Sequence, residues 1–173
     1  GSIFVSTGDA AGGLSGSINF KAGSSVEGLG GGITFDSGTS ERSTGGYIKL
    51  QSGRSNFGST GSINLETGKG NENANSGLLR ASTGISASKS GDILIQTGSA
   101  SRSGDIVVSP GKALSSGAGI RAVSGHSTYN TGGAIELRSG GSAFSEGGRV
   151  KIASPESTEG SSGVIDESTG DSV

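Results

Sequence analysis

The only histidine of the chain, His126, stands next to Ser127. A hydroxyl beside an imidazole is the nucleophile and base of acyl-transfer chemistry, and the relay also needs an acidic residue to orient the imidazole. The sequence around His126 supplies no such acid. We therefore interpret both residues as part of a loop, and the sequence predicts no catalytic residue and no enzyme activity.

A second place with suitable chemistry is the segment 69–76, whose side chains are rich in oxygen. It contains Asn71, Glu72, Asn73 and Asn75, and carboxylate and amide oxygens are ligands that Ca²⁺ accepts. The segment lacks the Gly-Gly-x-Gly-x-Asp repeat of calcium β-rolls, and no second loop is like it. A solvent-exposed insertion is the favoured interpretation, so the sequence predicts no metal site and no cofactor.

Short glycine runs such as Gly28-Leu29-Gly30 are the remaining candidate motif. A phosphate-binding glycine loop follows a strand and opens a helix. These runs have no helix pattern after them, so they are interpreted as turn glycines.

The residues that would have to position any site belong to one repeated octapeptide, Gly-x-Ile-x-aliphatic-x-(Ser/Thr)-Gly. Its copies start every 13 to 16 residues, at Gly1, Gly16, Gly31, Gly46, Gly61, Gly77, Gly91, Gly104, Ala118, Gly133, Gly148 and Gly163. Twelve copies fill all 173 residues. The chain is a repeat protein, and 1–173 is predicted to be a single repeat domain, an excerpt of a longer array.

Within the octapeptide, positions three and five are apolar and the positions between them are mixed. Position three is Ile in ten copies, and position five is apolar in every copy except the last, which has Glu167. This alternation is the signature of a strand with one buried face. Glycine at positions one and eight suits bends that need positive φ or a close approach of the backbone. Ser or Thr at position seven, present in ten copies, predicts a ladder of inward hydroxyls.

The connectors between octapeptides are five to eight residues long, rich in Ser, Gly, Asn and Thr. Many carry one apolar residue, such as Phe57, Tyr129 or Phe144, which predicts one inward contact per connector. A unit of about 15 residues is too short for a strand-helix-strand crossover. The sequence therefore predicts an all-β fold: a β-solenoid, or parallel β-helix, of about twelve short coils with a period of about 15 residues.

Two alternatives stand beside the solenoid. A hairpin array would run alternate strands antiparallel, but hairpin loops are usually shorter than these connectors. Disorder is the second, because the chain has 36 glycines and abundant serine, yet a linker does not keep an aliphatic pair in register.

Composition excludes several classes of partner. A net charge of −2 gives no electrostatic reason to expect binding to nucleic acid or to an anionic membrane. No apolar run is long enough for a membrane span, and the absence of cysteine excludes disulfides.

Alternating charges at position four, Arg121, Glu136, Lys151 and Asp166, predict ion pairs between adjacent coils.

Octapeptides such as 16–23 and 91–98 resemble the Ser/Gly-rich tandem repeats of large secreted or cell-surface β-solenoid proteins. These include repeats predicted in diatoms and related algae and in bacterial adhesin stalks. The resemblance implies extracellular filaments, cell-wall material or adhesion. The chain differs from insect antifreeze β-helices, because charged residues interrupt the outward columns where those proteins have a Thr-x-Thr column. It also differs from β-helix enzymes of the pectate-lyase type, because it lacks their cluster of acids and bases.

The expected function is therefore a structural rod or filament segment, extracellular or at the cell surface, without a catalytic site. The alternative is a binding module that presents a β-face to a polysaccharide, a mineral or ice. Because octapeptide 1–8 is a complete copy, its open edge predicts end-to-end self-association or continuation into further repeats.

Overall fold

The computed structural model of the protein describes residues 1–72 and 74–170. The chain divides into two units, Gly1–Gly91 and Asp92–Val173. Within the described residues of both units there is no helix and no strand; extended and irregular segments alternate with bends. The predicted β-solenoid is therefore wrong, as is every description of the chain as a β-helix.

The missing feature is the hydrogen-bond ladder between successive octapeptides. A solenoid needs the N–H and C=O groups of each strand to pair with those of the next strand. In the described residues, backbone pairs instead join the two ends of single connectors, and one closes a turn from the Ala74 N–H to the Asn71 carbonyl at 3.0 Å. The alternation of apolar residues indicates which side of a segment is less exposed, but it does not by itself produce backbone hydrogen bonds between segments.

Each connector contains one bend or turn. The bends lie at 11–13, 26–28, 41–43, 56–58, 87–88, 101–102, 114–116, 128–130, 143–145 and 158–160, and the connector 69–76 has a turn at Glu72. Their spacing follows the sequence repeat, so the period read from the sequence is a real period of the backbone.

Five connectors of seven residues close on themselves, and we call the closing point the neck. At each neck the N–H of the glycine that opens one octapeptide donates to the carbonyl of the glycine that ends the preceding one. The pairs are Gly31 to Gly23 at 2.9 Å, Gly46 to Gly38 at 2.8 Å, Gly61 to Gly53 at 3.1 Å, Gly133 to Gly125 at 2.9 Å and Gly148 to Gly140 at 2.7 Å. A compact loop whose ends meet in this way is a small Ω-loop.

A serine at the second position of the connector stabilises the bend. The Ser25 hydroxyl accepts a hydrogen bond from the Gly28 N–H at 2.8 Å, and Ser55 accepts one from Gly58 at the same distance. The same bond forms at Ser40, Ser127, Ser142 and Ser157. Serine hydroxyls form such local turns because they reach the N–H three residues further on.

The neck explains why position one is glycine and position seven is small. A Cβ added to Gly46 would lie 3.1 Å from the Gly38 nitrogen and 3.2 Å from the Ser37 Cβ. A Cβ on Gly31 would lie 3.2 Å from the Ala22 Cβ. Close approach is therefore the requirement, since among the described residues only Gly13, at φ 91°, has a positive φ. The residue at position seven lies against the neck of the connector that follows it. The sequence had instead predicted a ladder of position-seven hydroxyls along the chain.

Glycine at position eight has no such explanation. A Cβ on Gly38 would have no heavy atom within 4 Å, and nothing in the structure accounts for its being glycine. Position one and position eight look alike in the sequence, yet position one is sterically constrained at the necks, whereas at Gly104, which closes no neck, a Cβ would meet nothing within 4 Å.

No residue in the described part of the chain is buried. The accessible surface is 18259 Å², whereas a folded chain of this mass exposes about 7,600 Å² and an extended one about 24,000 Å². The predicted dry core is therefore wrong: Ile63, at its centre, is 52% exposed. The connectors also lack the predicted inward contact, because Phe57, Tyr129 and Phe144 are essentially fully exposed.

A weaker form of the predicted alternation survives as a gradient of exposure. Beyond Ile3, position three is 45% to 64% exposed, and the large apolar side chains at position five are 65% to 72% exposed. Large apolar side chains at positions two and four, such as Tyr47 and Leu94, are more exposed than these. Positions three and five thus share the more sheltered side of the octapeptide.

A side-chain contact in each unit shows which residues of the octapeptides lie close together. In the first unit the rings of Phe20 and Phe35, both at position five, meet edge to face with centroids 6.3 Å apart. In the second unit the Arg138 Nε lies 3.4 Å from the Glu136 Oε1. The first contact sets equivalent residues of octapeptides 16–23 and 31–38 side by side, and the second joins residues two apart in one octapeptide.

Candidate functional site

The hydroxyl of Ser127 is used by the bend of its own connector. It accepts the Asn130 N–H at 3.0 Å, and Ser127 is half-buried at the neck, where Gly133 donates to Gly125. His126 is exposed beside it. The serine that sequence reasoning weighed as a nucleophile occupies the same position as Ser25 and Ser55, which stabilise equivalent bends.

An open concavity of about 760 Å³ is lined by Lys69, Gly70, Asn71, Glu72 and Ala74. The Asn71 carbonyl already accepts the Ala74 N–H, and a Cβ on Gly70 would collide with the Ala74 carbonyl. Asn73, one of the weighed calcium ligands, lies outside the described residues. Among those that are described, no three acidic or histidine residues come close enough to hold a metal ion.

The glycine run 28–30 belongs to a bend. The Gly28 N–H donates to the Ser25 hydroxyl, and Gly30 lies beside the neck, where a Cβ would meet the Gly23 carbonyl at 3.8 Å. This placement agrees with the interpretation of these residues as turn glycines.

Among the described residues, the predicted ion pairs between adjacent repeats along position four, from Arg121 to Asp166, do not form. Glu136 pairs instead with Arg138, two residues along the same octapeptide, and both side chains are largely exposed. An exposed pair of this kind contributes about 0.2 to 1 kcal/mol, so it orders the two side chains locally without fixing a register between repeats.

The neck is the feature that sequence reasoning missed. Its signal is nevertheless present in the sequence as a joint pattern: seven connector residues, serine at the second of them, and glycine on both sides. The connectors 24–30, 39–45, 54–60, 126–132 and 141–147 meet all three conditions, and each of them is closed by a backbone bond.

Two further connectors of seven residues test the pattern. The connector 9–15 has Ala10 where the others have serine, and its ends are held by the Thr7 hydroxyl, which donates to the Gly16 carbonyl at 3.2 Å. The connector 156–162 keeps the serine bend, but it follows Pro155 instead of glycine. Neither has the backbone bond across its neck among the described residues.

Comparison with models of protein families, with curated proteins and with solved structures gives no match to this chain. Over 1–72 and 74–170 there is also no helix with the length and apolar character that crossing a membrane requires. The function must therefore be argued from the repeat and its geometry.

Proposed function

We propose that this chain is a structural repeat protein, a filament-forming segment of an extracellular or cell-surface fibre without a catalytic site. The observation that carries the proposal is the locality of its bonds. Necks join residues eight apart, and serine bends join residues three apart. A catalytic site gathers nucleophile, base and orienting group at one point, whereas this architecture repeats one small motif along the chain.

A second support is the distribution of apolar surface. Positions three and five repeat along the chain and stay about half exposed or more. Exposed apolar side chains that recur in this way favour association with other chains. In a fibre, such surface is covered by neighbouring chains, which supplies the burial that one chain lacks.

The proposal is tested on the full chain by following light scattering while its concentration is raised, with electron microscopy of negatively stained samples at each step. Filaments whose mass grows with concentration are the expected result. A monodisperse monomer at every concentration would contradict the assembly proposal. Antibody labelling of intact source cells tests the location separately, since surface labelling is expected without permeabilisation.

A further inference from the structure

The charged residues of 9–69 follow an order that their repeat positions do not require. From Asp9 to Lys69 the signs run minus, plus, minus, minus, minus, and then plus, plus, plus, minus, plus. The second half is the mirror image of the first with every sign reversed. The centre of this mirror falls between Glu41 and Arg42, in the bend 41–43.

We propose that 9–69 is a docking surface for a second copy of this chain, which lies antiparallel to the first with a two-fold axis between Glu41 and Arg42. This inference rests on the proposed function, in which copies of the chain assemble. In a two-fold interface residue i of one copy faces residue j of the other, and j faces i. With this axis residue i faces residue 83 − i of the second copy, so opposite signs come opposite each other or within two residues of it from Glu27 to Arg54.

At the axis, Glu41 faces the second copy's Arg42 directly. Asp36 with Lys49, and Glu27 with Arg54, lie two residues from direct opposition, within reach of their side chains. Lys21 with Glu66 and Asp9 with Lys69 are four and five residues out of opposition and add little. A parallel copy in register would instead set each charge against its own kind, which is repulsive. The charges therefore select the antiparallel arrangement.

These side chains are available for such contacts. All ten are exposed, and within the described residues none of them has an ion-pair partner. Within one chain, Phe20 packs against Phe35 of the next octapeptide. Complementary charges at the rim of an interface fix its orientation and register, and they act over about 8 to 10 Å.

Positions three and five supply the apolar part of the same surface. The four octapeptides inside 9–69 contribute eight such side chains, among them Ile18, Phe20, Ile33 and Phe35, each about half exposed or more. At roughly 100 Å² for a whole side chain, they offer on the order of 500 Å² of apolar surface. A standard interface buries about 800 Å² per partner, of which about 60% is apolar. The surface matches that requirement.

The octapeptides follow the same symmetry. Rotation about the axis places 16–23 opposite 61–68 of the second copy, and 31–38 opposite 46–53. Under this axis Ile18 faces Leu65, Phe20 faces Ile63 and Ile33 faces Leu50, so position three of one copy meets position five of the other. The apolar residues of the connectors do not form a comparable surface, because the connector 39–45, which lies at the axis, contains no apolar residue.

The test is sedimentation equilibrium of the full chain at low salt. The chain is expected to form a reversible dimer, and Lys49→Asp is expected to weaken it roughly tenfold, because the substitution sets two carboxylates against each other on both sides of the axis. The matched control is Arg80→Asp, the same charge reversal at position four of an octapeptide outside 9–69, and it is expected to leave the dimer unchanged. The double variant Asp36→Lys with Lys49→Asp reverses both partners and is expected to restore the wild-type dissociation constant.

Salt and the apolar column give independent readouts. In 1 M NaCl the difference between Lys49→Asp and wild type should disappear, while Ile33→Asp should weaken the dimer at every salt concentration and Phe57→Asp should not. Equal effects of Lys49→Asp and Arg80→Asp, or failure of the double variant to recover, would overturn the antiparallel docking. If filaments still form in that case, the proposed function stands without it. A chain that does not associate at all overturns both.

Discussion

The connectors of the chain fall into two regions with different behaviour. In 1–68 and 118–170 every connector has seven residues, whereas between 69 and 117 the lengths are eight, six, five and six. All five necks closed by a backbone bond lie in the first region, and none is found in the described part of the second. The same octapeptide pattern runs through both regions, with substitutions such as Pro110 at position seven, so we attribute the difference in closure to connector length and turn residues.

Geometry explains this difference. A bend of about four residues reverses the chain, and one or two residues on each side return the backbone to its starting point. Seven residues provide that path with a serine placed to accept the N–H three residues on, as Ser55 does for Gly58. In 85–90 the Ser88 N–H donates to the Ser86 hydroxyl, two residues back, at 3.2 Å, and no backbone bond across this connector is found among the described residues.

Breaking a neck sterically should have the largest effect. Gly46→Ala places a Cβ 3.1 Å from the Gly38 nitrogen and 3.2 Å from the Ser37 Cβ, closer than ordinary van der Waals contact, so we expect the neck to open and its hydrogen bond, worth about 0.5 to 1.5 kcal/mol, to be lost. The amide of residue 46 should exchange with solvent about two to twelve times faster by NMR. Gly38→Ala is the control, because its Cβ meets open space; equal acceleration in both variants would refute the steric explanation.

Grafting a connector should transfer closure from one region to the other. Replacing the five residues 99–103 with the seven residues of 54–60 is expected to form a neck between Gly98 and Gly104, with the Gly104 amide gaining protection of the same size. The control graft carries alanine in place of the serine. An unprotected Gly104 amide in the first graft would show that the connector alone does not encode the neck.

Removing the serine of a single bend should have a smaller effect. In Ser55→Ala the Gly58 N–H loses its acceptor, which costs about 0.5 to 1 kcal/mol at an exposed site. Faster exchange of the Gly58 amide is expected, with partial weakening of the neck at Gly61. Ser59→Ala, in the same connector, should leave both amides unchanged; a matching loss there would mean that serine content, not position, stabilises the bend.

How much of this could be read from the sequence depends on the distance over which each feature is encoded. The period and the sheltered side of each octapeptide were predictable, since Ile48 and Leu50 lie two apart and are less exposed than Tyr47. The absence of the hydrogen-bond ladder was not predictable from the pattern. Pairing of segments 15 residues apart must offset the loss of chain entropy, and each unit has few apolar contacts with which to do so. The neck needs only an eight-residue closure, and its signal was divided among Gly53, Ser55 and Gly61.

The candidate sites show the same limit. Ser127 beside His126 suggested chemistry until its position in the connector was compared with that of Ser25 and Ser55. A serine next to a histidine does not by itself show whether the serine is structural or reactive, whereas comparison with the same position in other connectors does. The hydroxyl is then explained by the bend it stabilises.

The most direct test of this account is a site-resolved amide exchange measurement on the full chain. The amides of Gly31, Gly46, Gly61, Gly133 and Gly148, which donate across necks, should exchange about two to twelve times more slowly than those of Gly77 and Gly104. Uniform exchange at all seven glycines would contradict the claim that the seven-residue connector is the closed structural unit of this protein.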